Sequence, residues 1–122
     1  MKSKVIMISV FAMVILAASQ AGAEVQKWRI SAYCSSKCCC GKYSDGITAS
    51  GKRVRQGFVA NNFLKFGQVV EIKGVGEFVV EDRGSIKYFG TKAEKRKSID
   101  VYFNTHQAAK NFGVQYREVV IK

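Results

Sequence analysis

Between Lys27 and Ile121 the chain divides into six short runs suited to strands. They are 27–33 (KWRISAY), 57–60, 68–73 (QVVEIK), 77–82, 99–103 and 115–121 (QYREVVI). The chain has no proline, so its turns rest on Gly, Asn and Asp, as at Asp45-Gly46, Asn61-Asn62 and Gly74-Val75-Gly76. Many short strands with glycine turns in about 100 residues predict a small closed barrel. Closure also removes the exposed sheet edges that such strands would present. One helix is expected before the last strand, over 104–112. Asn104 is its expected cap, Gln107 sits three residues on, and Gly113 stops it. The expected fold class is mainly β with this single short helix. Residues 47–51 read as a short extended piece ending in a turn, and the basic insert 88–97 as a solvated loop.

The first 23 residues stand outside this pattern. Lys2 and Lys4 precede an uninterrupted apolar run, Val5 to Ala17, and Ala21-Gly22-Ala23 supplies the small residues of a cleavage site. This predicts a secretory signal peptide over 1–23 and one domain over 24–122. The apolar run is short for a transmembrane span, so no stable membrane insertion is expected after cleavage. The destination is the periplasm, the cell wall or the medium.

Without Lys2 and Lys4 the formal charge falls from +11 to +9. A basic exported protein is drawn to anionic surfaces such as wall polymers, acidic glycans or lipid head groups. No nucleic-acid-binding motif accompanies the charge. All four cysteines cluster at Cys34, Cys38, Cys39 and Cys40. In an oxidising compartment they should form disulfides. Adjacent cysteines bridge each other only with strain, so a bond from Cys34 to one of the other three is expected, with the pairing open. The spacing lacks the separated pairs of a zinc ribbon, and the only histidine, His106, is distant in sequence. No metal is expected.

The stretch 77–103 carries the candidate chemistry. Alternation over 78–82 puts Phe78, Val80 and Asp82 on one face. Over 99–103 it puts Asp100 and Tyr102 on one face and Ile99, Val101 and Phe103 on the other. A carboxyl in an apolar run is costly to bury unless paired or neutralised. Apolar surroundings or a second carboxylate would raise its pKa, as a general acid near neutral pH requires. On residues alone a simpler reading has precedence. Asp82 turns the chain with Arg83-Gly84, and Asp100 ends a strand in water.

The ordered elements 33–34 (Tyr-Cys), 39–41 (Cys-Cys-Gly), 45–51 (DGITASG), 57–60 (GFVA), 74–76 (GVG), 81–84 (EDRG), 86–87 (Ile-Lys), 99–103 (IDVYF) and 108–116 (AAKNFGVQY) resemble a known family. Together they look like the three-aspartate domain of bacterial cell-wall enzymes. That domain is similar to the catalytic domain of membrane-bound lytic transglycosylase A, and more distantly to rare lipoprotein A and the expansins. The resemblance implies a six-stranded double-psi β-barrel with a groove for peptidoglycan glycan strands, and no cofactor. It implies non-hydrolytic cleavage of the MurNAc-β-1,4-GlcNAc bond, giving a 1,6-anhydro product. Asp100 falls on the position of the acid/base. Asp82 falls on that of a second aspartate that orients Asp100 or raises its pKa. Lys87 would lie near the groove, and Thr48 and Ser50 would line its other side. Tyr102, on the face of Asp100, is a candidate to hydrogen-bond substrate.

The chain departs from the family at three places. Asn61 and Asn62 stand where the first aspartate is expected, which makes Asn61 a candidate substrate contact. Asp82-Arg83-Gly84-Ser85 replaces the usual Asp-Thr-Gly-Gly. The insert 88–97 lengthens the path from Asp82 to Asp100, which loop entropy tolerates. Two functions follow: a secreted lytic transglycosylase, or a non-catalytic, expansin-like glycan-binding module.

Overall fold

A computed structural model describes residues 26–36 and 45–122. The signal segment and Cys38, Cys39 and Cys40 lie outside the described residues. Eight elements follow in order: β1 (Lys27–Tyr33), β2 (Phe58–Ala60), β3 (Val69–Ile72), β4 (Gly76–Asp82), α1 (Ile86–Phe89), β5 (Ser98–Tyr102), α2 (His106–Phe112) and β6 (Gln115–Ile121). The strands close into a barrel in the order β1-β5-β2-β4-β3-β6. Two neighbouring pairs, β1/β5 and β2/β4, are parallel, and the other four are antiparallel.

Period-two alternation builds the interior. Trp28 and Ile30 from β1, Val59 from β2, Val70 and Ile72 from β3, Val80 from β4, and Ile99 and Val101 from β5 form one core with Leu64. Burying each aliphatic side chain contributes about 1.5–3 kcal/mol. The residues between them therefore face away from the core, which sends Ser31, Tyr33, Asp100 and Tyr102 to the other side of their strands.

Three sequence expectations need correction. A bulge between Val59 and Ala60 shifts the β2/β4 register, so that Val59 pairs Val80 but Ala60 pairs Asp82. Asp82 therefore leaves the face of Phe78 and Val80, and strict alternation fails at that point. Second, a one-turn helix, α1, takes in Tyr88 and Phe89, the first two residues of the insert expected to be a solvated loop, so there are two short helices among the described residues, not one. Its cap position, Ser85, makes no side-chain cap hydrogen bond. Tertiary packing holds it instead: Phe89 is buried, and a Cβ at Gly84 would collide with the Phe89 ring. Third, α2 is capped by Thr105 and not Asn104. The Thr105 hydroxyl accepts from the Ala108 N–H at 3.1 Å. Gly113 ends α2 at a φ of 65°, as expected. The insert is exposed from residue 91 to 97, and its Arg96 pairs with Glu94 at 2.8 Å.

Candidate active site

Strand β2 brings the two aspartates together. Ala60 pairs with Asp100 on its β5 side and with Asp82 on its β4 side. Adjacent strands lie about 4.8 Å apart, so the two acids flank one small residue across about two strand spacings. A larger residue at position 60 would stand between them. Beyond β5, β1 runs parallel and sets Ser31 against Asp100 and Tyr33 against Tyr102.

The two carboxyls are held differently. Asp82 accepts three hydrogen bonds: Tyr33 Oη donates to Oδ2 at 2.9 Å, and the N–H groups of Ala49 and Arg83 donate to Oδ1 at 2.9 and 2.8 Å. It is fixed by β1, by the 47–53 turn and by its own neighbour. Asp100 accepts only from Ser31, with Oγ 3.0 Å from Oδ1. Its Oδ2 has no hydrogen-bond partner among the described residues. No fully buried side-chain oxygen among them lacks one, so Oδ2 reaches solvent. Burial pushes the Asp100 carboxyl up to about 6. The Ser31 hydrogen bond and the positive charge of Arg29 oppose this, and Asp82 adds a small push upward. Arg29 makes no ion-pair contact with Asp100 and acts from farther away. The simpler sequence reading of Asp100, a strand end in water, is thus overturned by its partial burial. The turn reading of Asp82 holds in part, since its carboxylate does fold back onto the Arg83 N–H.

The other predicted site residues divide. Ser50 is half-buried, and its hydroxyl is 2.9 Å from that of Thr48, in the turn whose Ala49 N–H reaches Asp82. Thr48 itself is 4% exposed, so it supports the turn and presents little surface. Tyr102 packs edge-on against Tyr33, with centroids 5.5 Å apart. Its ring is buried, and its hydroxyl makes no hydrogen bond among the described residues. Lys87 is exposed, with Nζ 5.3 Å from the Tyr88 ring centroid, and it makes no contact with either aspartate.

Asn61 cannot line a groove, because it is 0% exposed. Its Nδ2 donates to the Ser98 carbonyl at 2.9 Å, and its Oδ1 accepts from the N–H groups of Phe63 and Leu64. An aspartate there would keep the two acceptor bonds and lose the donor. Asn62 is also spent on backbone: Nδ2 donates to Gly84 and Gly90 carbonyls, and Oδ1 accepts from the Gly84 N–H.

Sequence reasoning missed Ser31, Tyr33 and Arg29. Alternation in KWRISAY marks them as one polar-facing set against Trp28 and Ile30. What it lacked was the parallel β1/β5 pairing that carries them to the acids. It also missed buried Glu81, paired with Lys52 Nζ at 2.8 Å. His106, remote in sequence, comes within 3.8 Å of Cys34 Sγ through its Nδ1.

Two surface depressions accompany this arrangement, and neither is lined by Asp82 or Asp100. One, of about 330 Å³, begins at Arg83 and is walled by Asn62, Gly84, Ile86, Gly90, Thr91 and Lys92. The other lies between Lys73, Gly74 and Tyr116. No protein-family model matches the chain, and no curated protein matches it.

Proposed function

We propose that this protein is a secreted peptidoglycan lytic transglycosylase with Asp100 as its acid/base. The observation that carries the reading is the contrast between the two acids about Ala60. Asp100 has one hydrogen bond, an open oxygen and a carboxyl raised to about 6, and it stands beside a rigidly held Asp82. The family resemblance supplies the substrate. Two parallel strand pairs within a closed six-stranded barrel support the double-psi form of that family.

In the first step protonated Asp100 gives its proton to the glycosidic oxygen, and the C1–O bond of MurNAc breaks. In the second, the Asp100 carboxylate takes the proton of the MurNAc 6-hydroxyl while O6 bonds to C1. The products are a 4-hydroxyl GlcNAc end and a 1,6-anhydro-MurNAc end, and Asp100 is again protonated. The substrate supplies its own nucleophile, so one acid suffices where ordinary glycosidases use two. Because the starting form is the neutral acid, kcat/KM should fall as pH rises through about 6.

The second reading, a glycan-binding module without catalysis, is favoured by Asn61 and Asn62. Both serve the backbone, so no third carboxylate joins the pair. Mass spectrometry of fragments released from purified sacculi separates the readings. A lytic transglycosylase leaves ends one water lighter than a hydrolase does. Binding with no release makes the chain a binding module.

Export and disulfide formation belong to the same proposal. Cys34 is 2% exposed at the end of β1, well placed to anchor the following loop through one bond to Cys38, Cys39 or Cys40. Closing so short a loop is worth about 2–3 kcal/mol. Thiol titration of denatured, unreduced mature protein should find at most two free thiols. Four free thiols would contradict the bond.

A further inference from the structure

Arg83 directly follows Asp82 and opens the depression of about 330 Å³ between β4, α1 and the start of the insert. Its guanidinium lies 3.9 Å from the Phe66 ring centroid and donates through Nη1 to the Asn61 carbonyl at 2.7 Å. This stacking and the hydrogen bond fix the group in one orientation. Burial pulls its pKa below the ordinary value, with Asp82 partly opposing that. Lys92 stands on the same depression, and neither cation makes an ion pair among the described residues. Glu71, Glu77, Glu81 and Glu94 each have a basic partner, and none of them reaches this depression. What sets Arg83 apart is that stacking and a hydrogen bond fix its guanidinium while leaving it without a carboxylate partner among the described residues.

The remaining wall is apolar or backbone. Ile86 is 66% exposed beside the cations. Gly84 is half-buried and Gly90 is buried, and both line the wall with main chain that Asn62 already hydrogen-bonds. At Gly90 φ is 71°, and a Cβ would meet the Arg96 side chain at 2.9 Å. A concavity with two cations and an apolar flank suits a carboxylate on a short, partly apolar stem. A neutral sugar would leave both charges unanswered. A free inorganic anion would leave Ile86 uncovered.

We infer that this depression is a subsite for a carboxylate of the stem peptide carried by the glycan, seated on Arg83 and Lys92 beside Asp82. The inference rests on the peptidoglycan reading and narrows it to peptide-bearing strands. The Arg83 N–H donates to Asp82 Oδ1 at 2.8 Å, so the residue that would hold the carboxylate is itself joined to the aspartate pair. A peptide substituent gripped there would set the register of the sugar bond over Asp100.

Calorimetric titration of the full mature protein with N-acetylmuramyl-L-alanyl-D-glutamic acid and with its diamide isolates the carboxylates. The acid form is expected to bind about 10-fold more tightly, the scale of a charge-assisted hydrogen-bonded pair. Lys92→Gln is exposed and should leave the fold intact. It should cut that preference about 2- to 5-fold, with diamide binding unchanged. Arg83→Gln should abolish the preference. If that variant fails to fold through loss of the Asn61 contact, the Lys92 result decides alone. Equal binding of acid and diamide, no effect of Lys92→Gln, binding of neither ligand, or competition by inorganic phosphate as strong as by the acid would each overturn the subsite. Retained acid preference in a protein that cleaves no sacculi would overturn the enzyme reading and leave the subsite standing.

Discussion

Two regions of the barrel carry carboxylates under opposite conditions. Along β3, β4 and the chain end, Glu71 and Glu77 are partly exposed and face Lys73 and Lys122, with Lys122 Nζ 2.9 Å from Glu77. Where β1, β5 and β2 meet, Asp100 is partly buried, has a neutral donor in Ser31 and no cation in contact. Glu81 stands between these cases. It is nearly inaccessible, yet Lys52 closes on it. The difference teaches that burial alone does not make a working acid. A buried carboxylate with a cation beside it is held ionised, whereas burial without one leaves the proton in place at higher pH. Lysine answers Glu71, Glu77 and Glu81, three neutral donors hold Asp82, and Asp100 has Ser31 alone.

The largest effect should come from removing the exception. Asp100→Asn keeps the shape and the Ser31 hydrogen bond but has no exchangeable proton. Turnover on sacculi should fall by at least about 10²-fold, with binding to sacculi retained. The same change should stabilise the fold. A native value of about 6 against the ordinary 3.8 means the native state holds the proton more tightly. Stability is therefore lost as pH rises from about 4 to about 6. Above pH 6 wild type should trail Asp100→Asn by up to about 3 kcal/mol, less the part that water screens. Below pH 4 the two should melt together. Denaturant melts at pH 3.5 and 7.5 check the sign. A gap that widens at low pH would refute it.

A smaller loss is expected from Lys52→Met, which leaves Glu81 buried without its cation. The cost should be about 1–2 kcal/mol at neutral pH, discounted because Lys52 is largely exposed. The smallest effect is at the rim. Lys122→Met removes the partner of exposed Glu77 and should change neither melting temperature nor activity. If the rim change proved as costly as the Lys52 change, the distinction between the two regions would fail.

Much of the barrel was legible because its core obeys period two. Trp28, Ile30, Val70, Ile72, Ile99 and Val101 fall inside where alternation puts them. The exceptions have local physical causes. The bulge at Val59/Ala60 arises from pairing between strands remote in sequence, and it turned Asp82 to the face of Ala60 and Asp100. Helix α1 has neither a side-chain cap nor an amphipathic period, and exists because Phe89 packs over Gly84. Of the site, both acids were legible as carboxyls in apolar runs. Their hydrogen-bond donors were not, since Ser31 and Tyr33 meet them only through the β1/β5 crossover. Asn61 misled for a related reason: the Ser98 carbonyl that claims its amide lies 37 residues away.

Titration of the Asp100 side-chain carboxyl by carbon-13 NMR tests most directly whether burial without a cation makes this acid. The account predicts a midpoint near 6 in wild type and a slightly lower one in Asp82→Asn, which loses the neighbouring charge. It also predicts a higher midpoint in Ser31→Ala, which loses the donor. A wild-type midpoint near 4, unmoved by either substitution, would contradict it.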